Sequence, residues 1–499
     1  MNFGATGSEQ RFRMEQQLRV QGQAVREPSV PIAKGRALVI DLEGALLRST
    51  LLQEAVLSDA GRSFACLRDA LLSGRGACLE QVVVGAEIDY GHLPYEPEVL
   101  NLGLAARAQG AKIYVATAQF RDHAAAIATH LGFDGVVTLS DLGSGGHADH
   151  TGARAPAFDA GDFDYVGNVQ APESVWRAAS TTHLVGGPDH LCNRLRLLNP
   201  SLKRIGNRGT SWLTWLNALR VYQYAKNTLV FVPVLTSHQI NLSSVLGAFL
   251  AFLAFSACAS SAYLLNDILD LATDRQHPSK RYRAIPSGEL AISSALIAIP
   301  FLWMASVVAG LFISKAFIAL LGAYLAITIA YSLYLKKKML VDIVTLAGLY
   351  TVRIVGGAVA IGVYLSEWLM IFSLFIFTSL ALIKRYGELT MLQGAGLSNP
   401  ANRDYKISDL QIVAAMAAAS GMNAITVFSL YVSSPIVAQT YSRPWMLWML
   451  NPLLLYWIGR ALMLAHRQAM PDDPLVYTFK DNASRIIVLA MMCIVLAAI

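Results

Sequence analysis

Residues 266–290 read NDILDLATDRQHPSKRYRAIPSGEL and lie between two long apolar runs. Asp267, Asp270 and Asp274 are spaced i, i+3, i+7. On an uninterrupted helix this spacing holds three carboxylates within about 60° of one another, with Asn266 beside them. Acids grouped on one face at the inner end of a membrane helix repel each other unless a cation joins them. Carboxylate oxygens are hard ligands and suit Mg²⁺ shared with a phosphate-bearing substrate. Lys280, Arg281 and Arg283 follow and can hold the remaining phosphate charge. A solvated charged loop is the plainer alternative. Ionisable groups at membrane depth usually serve function, and the ordering of acids before bases favours that reading.

The surroundings agree with a membrane setting. Of 499 residues, 54% are hydrophobic and 15% are charged, and the mean hydropathy is +0.44. Up to about residue 210 the chain is mixed and reads as soluble; beyond it, apolar stretches of helical length recur to the end. Nine spans are expected, at about 218–236, 242–265, 291–313, 316–335, 340–362, 367–391, 407–432, 444–467 and 484–499. Lys and Arg collect in alternate loops: Arg275 to Arg283, Lys336 to Lys338, Lys384 to Lys406, then Arg467 and Lys480. The opposite loops carry little beyond Lys315 and Arg443. By the positive-inside rule the N-terminal domain is cytoplasmic and the C-terminus lies outside, in a bacterial inner membrane. The N-terminus lacks the apolar core of a signal peptide. The net charge of +6 reflects these loops; no basic stripe interleaved with aromatics points to nucleic acid. The five cysteines form no CxxC and suggest neither zinc nor disulfides.

Upstream, residues 1–34 read as a mobile tail and 35–195 as a compact domain, followed by a linker or amphipathic segment at 196–217 and the membrane domain at 218–499. GRALVIDLEGALLRST opens the compact domain with a buried strand. AKIYVATAQF (111–120), FDGVVTL and FDYVGNV (163–169) read as further strands, separated by helical patterns such as HAAAIATHLG. Such alternation implies a parallel α/β sheet.

The pattern N-D-x-x-D-x-x-x-D from Asn266 to Asp274 resembles the first aspartate motif of the UbiA-type membrane prenyltransferases. The resemblance implies a nine-helix bundle in which the motif binds a diphosphate through Mg²⁺, with Asp267, Asp270 and Asp274 as metal ligands and Asn266 beside them. The extension HPSKRYRAIPSGEL is similar to the branch that makes decaprenylphosphoryl-5-phosphoribose. That branch transfers 5-phosphoribose from phosphoribosyl pyrophosphate (PRPP) to a polyprenyl phosphate. LRVYQYAKNTLVFVP brings Gln223, Lys226 and Asn227; YSLYLKKKMLVDIVTLAGLYTVRIVGG brings Tyr331, Lys336, Asp342 and Arg353. Asp342 and Arg353 are eleven residues apart and share a helix face. KRYGEL brings Lys384, Arg385 and Glu388 where aromatic prenyltransferases of the superfamily carry a second D-x-x-x-D. Two cations and one acid there suit a site holding extra phosphates. NRDY (402–405) and DDPLVYTFKD (472–481) also resemble this branch.

VIDLEGALLRS is similar to the first motif of haloacid dehalogenase (HAD) type phosphatases, which implies a Rossmann-like domain with a small helical cap. Asp41 stands at the nucleophile position and Thr117 at the second motif. Glu43 replaces the general acid, Thr151 stands near the expected lysine, Asn168 replaces the main metal-binding acid and Pro172 another acid. A phosphoaspartyl mechanism needs those parts, so the resemblance implies a degenerate phosphatase. His147, Asp149 and His150 in GGHADH read as a polar loop.

The expected activity is a Mg²⁺-dependent membrane phosphoribosyltransferase feeding a cell-envelope arabinose pathway. Its partners are PRPP, a polyprenyl phosphate and the membrane, with no nucleic acid; oligomeric state is open, a homo-oligomer included. The alternatives are an aromatic prenyltransferase using a prenyl diphosphate, a bifunctional enzyme whose phosphatase removes the 5-phosphate, and a non-catalytic lipid carrier.

Overall fold

A computed structural model describes residues 7–21, 23–24, 36–58, 83–139, 142, 158–159, 161–206, 210–396, 403–470 and 474–499. Expectations for 59–82, where much of the helical cap would lie, for Thr151 and for GGHADH fall outside these residues, as do parts of the NRDY and DDPLVYTFKD segments. The chain divides into two compact units. One comprises Met1–Ala218 with Asp267–Leu296; the other comprises Leu219–Asn266 with Ile297–Ile499. The aspartate segment thus groups with the N-terminal unit, although its sequence position lies inside the expected membrane domain.

Among the described residues the first unit is built on six parallel strands: β1 Ala37–Asp41, β2 Ile113–Thr117, β3 Gly135–Thr138, β4 Phe163–Gly167, β5 Thr182–Val185 and β6 Lys203–Ile205. Their order is β3-β2-β1-β4-β5-β6. Short runs of β-branched and aromatic residues with both faces covered explain the strands. Along β1, Leu38 and Ile40 pack into one core with Met14, Leu100 and Ile127, while Val39 packs into the other with Tyr165, Trp176 and Cys192. This alternation is the two-residue period of a strand. The strand order reverses between β1 and β4, so the carboxyl ends of these strands border the crevice where such sheets bind ligands.

The mobile tail expected over 1–34 does not hold for Gly7–Val20, which form a helix packed on helices Pro97–Ala108 and Arg121–Leu131. Met14 and Leu18 are fully buried. Apolar side chains four apart make a stripe that compensates the ordering of a polar helix.

The second unit is helical. Seven helices in the described chain are long and apolar enough to cross a membrane: Leu242–Leu269, Ile292–Leu311, Lys315–Leu333, Val341–Ile361, Glu367–Gly394, Ile407–Val432 and Pro444–His466. The expected first span instead forms a 3-10 run, Val221–Phe231, then a short helix, Val232–Thr236. The expected last span is Asn482–Ala498, apolar but 17 residues long. Helix Val341–Ile361 is central, packing on the 3-10 run, on Lys315–Leu333 and on Glu367–Gly394. Gly357 makes this approach feasible: a Cβ there would lie 2.0 Å from the carbonyl oxygen of Val230.

Candidate active site

The acidic segment is not one continuous helix. Helix Leu242–Leu269 ends before Asp270, which takes φ −91° and ψ 9°, and helix Leu271–Gln276 follows. Asp267 and Asp274 are nevertheless brought together. One nitrogen of Arg283, Nη1, lies 3.2 Å from Asp267 Oδ1 and 2.6 Å from Asp274 Oδ2. Lys280 Nζ stands 3.8 Å from Asp274 Oδ1. Asp267 and Asp274 are buried, whereas Asp270 and Asn266 are half-buried. Two buried carboxylates sharing one cation is the arrangement their charges require. Among the described residues no three His, Cys, Asp or Glu side chains group as a metal centre. The convergence of hard oxygen donors on one cationic position still fits Mg²⁺, provided that Arg283 gives way. Arg281 points elsewhere, donating to the carbonyl of Val20.

Among the described residues of the second unit, two polar groups use helix Val341–Ile361. In the first, Asn227 Oδ1 accepts from Arg353 Nε at 2.8 Å, and Asn227 Nδ2 donates to Ser256 Oγ at 3.0 Å. Arg353 also donates to Tyr324 OH at 2.7 Å and to the carbonyl of Leu349. Lys226 Nζ donates to Gln223 Oε1 at 3.3 Å and stands 5.9 Å from the Tyr350 ring centre; the guanidinium of Arg353 is 5.6 Å from the same ring. Lys226, Asn227 and Arg353 are buried.

In the second group, Arg385 Nη2 donates to Asp342 Oδ2 at 2.8 Å, and Arg385 also pairs with Glu388. Tyr405 OH donates to Asp342 Oδ1 at 2.7 Å. Arg403 lies 3.5 Å from Asp342 and 3.7 Å from Glu388, and it hydrogen-bonds Tyr331. Two arginines thus balance two acids. Lys384 faces a small cleft with Tyr350, Leu346 and Leu380. Lys336 is half-buried in a short 3-10 turn, Leu335–Lys337. Asp342 and Arg353, placed on one helix face, therefore serve different clusters.

Sequence reasoning passed over Ser256, Tyr324, Tyr350, Arg403 and Tyr405 as members of these groups. Polar side chains inside apolar helices were the available signal, since such groups need internal partners. NRDY carried Arg403 and Tyr405 in plain view.

In the α/β unit, Asp41 ends β1, Thr117 ends β2 and Asn168 follows β4. The four motif positions are engaged structurally. Glu43 Oε1 accepts from the backbone N–H of Leu51 at 2.8 Å, capping helix Leu51–Ser58. Asn168 Nδ2 donates to the carbonyl of Glu43 at 2.7 Å. The Thr117 hydroxyl donates to the carbonyl of Gln119. Asp41 is buried, its carboxylate 3.3 Å from Tyr165 OH, and burial pushes its pKa up to about 7 against the opposing Tyr165 hydrogen bond.

The sequence profile of the UbiA prenyltransferase family matches residues 228–480. A protein of Sinorhizobium fredii named y4nM is 31% identical over 90% of this chain and 88% of its own. The nodulation protein NoeC of Azorhizobium caulinodans is 34% identical over 56% of this chain and 91% of its own. The decaprenyl-phosphate phosphoribosyltransferase of Corynebacterium glutamicum is 31% identical, over 36% of this chain and 56% of its own.

Proposed function

The chain belongs to the UbiA prenyltransferase family, and from that premise we propose that it transfers 5-phosphoribose from PRPP to a polyprenyl phosphate. The observation that carries this reading is the convergence of Asp267 and Asp274 on one cationic nitrogen. The 31% identity to a decaprenyl-phosphate phosphoribosyltransferase supports the choice of substrates. Asp267, Asp270 and Asp274 would hold Mg²⁺, with Asn266 orienting the segment. When bound, the metal supplies charge neutralisation at the leaving pyrophosphate.

The chain's own residues do the rest. Arg283 and Lys280, released from the aspartates, turn to phosphate oxygens. The C1–O bond to pyrophosphate breaks with its electron pair leaving on pyrophosphate, and a phosphate oxygen of the lipid forms the new bond to C1. No general base is needed, because the nucleophile is already an anion, so positioning and electrostatics supply the catalysis. Gln223, Lys226, Arg353, Tyr331, Lys336, Lys384 and Arg385 bind the sugar phosphate and the lipid phosphate, and Asp342 and Glu388 hold the arginines in place. Arg281 lies at the edge of the same segment. The N-terminal domain, HAD-like and without phosphatase activity, faces the cytoplasm of a bacterial inner membrane, and the C-terminus lies on the outer side. The product supplies cell-envelope arabinose donors.

The test is Asp270→Asn in membranes supplied with PRPP, polyprenyl phosphate and Mg²⁺. Loss of transfer supports the reading, and transfer at the wild-type rate refutes it. The aromatic prenyltransferase reading is weaker, since Arg385 and Glu388 stand where a second aspartate pair would be expected.

A further inference from the structure

The aspartate segment is fastened to the α/β sheet unit by two arginines, Arg275 buried and Arg48 half-buried. Arg275 directly follows Asp274. Its two terminal nitrogens meet the two carboxylate oxygens of Glu54, one of them at 2.9 Å, and its Nε donates to the carbonyl of Pro286 at 3.2 Å. The Arg275 and Glu54 side chains are only 8% and 6% exposed. One guanidinium thus joins helix Leu51–Ser58, helix Leu271–Gln276 and the loop that returns from the basic cluster. Arg48 makes a second tie. It pairs with Glu96 at 3.0 Å and donates to the carbonyl of Ser287 at 3.3 Å. Gly288, at φ +73°, lets the loop close there, since a Cβ would meet Arg48 Cβ at 2.6 Å.

The helix that presents Glu54 is itself held by the degenerate motif. Glu43 caps its first N–H, the Thr50 hydroxyl accepts from the N–H of Gln53, and Asn168 fastens the Glu43 carbonyl. Capping of this kind fixes a short helix that propensity alone would leave frayed. Glu43 and Asn168, two of the positions that depart from the HAD-type motifs, therefore order the element bearing Glu54.

We propose that the N-terminal α/β domain is a positioning domain for the aspartate segment, acting through the Glu54–Arg275 pair. The inference rests on the reading of Asp267, Asp270 and Asp274 as the metal–diphosphate site. A buried ion pair costs desolvation that an apolar pair avoids, so its use is best explained where one arrangement must be specified. The sheet has its own two apolar cores, and neither Glu54 nor Arg275 is a member of either. Glu54 and Arg275 are positioning residues: neither is assigned a contact with substrate. Arg275 fixes the backbone next to Asp274, whose carboxylate must exchange Arg283 for a metal.

The test compares the full chain with Glu54→Gln in detergent by hydrogen exchange and by the Mg²⁺ dependence of transfer. Glu54→Gln is expected to lose protection at 271–290 while β1 and β4 keep theirs. It should also raise the Mg²⁺ concentration for half-maximal transfer about tenfold, as loss of an outer-sphere support does, with a smaller change in the maximal rate. The swapped pair Glu54→Arg with Arg275→Glu should recover part of both. If Glu54→Gln does not fold, Glu54→Asp, which keeps the charge but shortens the reach, carries the same comparison. Unchanged protection and Mg²⁺ dependence overturn the inference, as does loss of protection spread equally through β1 and β4. Should the wild type transfer no phosphoribose, the functional reading falls, while loss of protection confined to 271–290 still upholds the positioning role.

Discussion

Arg385 donates to Asp342 at 2.8 Å, and neither side chain has any exposed surface. Such a pair is costly to split, because the remaining charge has no solvent to turn to. Asp342→Ala leaves Arg385 with Glu388 alone and withdraws the acceptor of Tyr405. The expected loss is about 3–5 kcal/mol, the range for breaking a buried pair. Thermal unfolding in detergent measures it. The double variant Asp342→Asn with Arg385→Gln should lose less than the sum of its two single variants.

Arg283 occupies the position between Asp267 and Asp274 that the proposal gives to Mg²⁺. Removing its charge leaves two buried carboxylates repelling each other. Arg283→Gln is therefore expected to be less stable without divalent cations and to gain more in Tm from added Mg²⁺ than the wild type does. An equal Mg²⁺ gain in both proteins would show that Arg283 and the metal do not compete for these oxygens.

Gly357 sits where helix Val341–Ile361 meets the 3-10 run carrying Lys226 and Asn227. A methyl group there meets backbone, not a flexible side chain. Gly357→Ala should cost about 1–3 kcal/mol through overpacking. It should also part Asn227 from Arg353, which lies one helical turn earlier. Thermal unfolding in detergent measures the cost, and a Tm equal to that of the wild type would contradict it.

The pH dependence of the α/β unit follows from Asp41. Its folded pKa of about 7 exceeds the ordinary value of 3.8 because the carboxyl is buried. The folded chain therefore keeps a proton that the unfolded chain releases. This stability is complete below about pH 4 and declines as pH rises toward 7, by at most about 1.4 kcal/mol per pH unit. Denaturant-dependent hydrogen exchange in β1, compared between wild type and Asp41→Asn, should show a flatter profile in the variant across that interval. Parallel profiles would remove Asp41 as the source.

The sequence displayed some of this plainly and hid the rest for physical reasons. The apolar helices are legible because bilayer thickness sets their length. The central strands are legible because both faces of the sheet are covered, so VIDLEG and FDYVGN read as apolar runs ending in polar groups. Strands Thr182–Val185 and Lys203–Ile205 were missed: one is four residues with a buried His183, the other a charged three-residue edge. Helix Gly7–Val20 was missed because its apolar stripe is reduced to Met14 and Leu18 among polar neighbours. In the candidate site, the aspartates and most cations were legible as charge in an apolar chain. Their partners were not: Glu54 lies 221 residues from Arg275, and Tyr405 lies 63 from Asp342. Periodicity reports one element at a time and is silent on such pairings. The break at Asp270 was likewise invisible, since the spacing of the acids suits an unbroken helix.

The central claim is tested most directly by supplying membranes containing this chain with ribose-labelled PRPP, polyprenyl phosphate and Mg²⁺, and weighing the lipid product. The account predicts a lipid-linked phosphoribose that keeps its 5-phosphate, formed with equimolar pyrophosphate and absent for Asp270→Asn. No labelled lipid from PRPP, together with prenylation of an aromatic acceptor from a prenyl diphosphate, would contradict it.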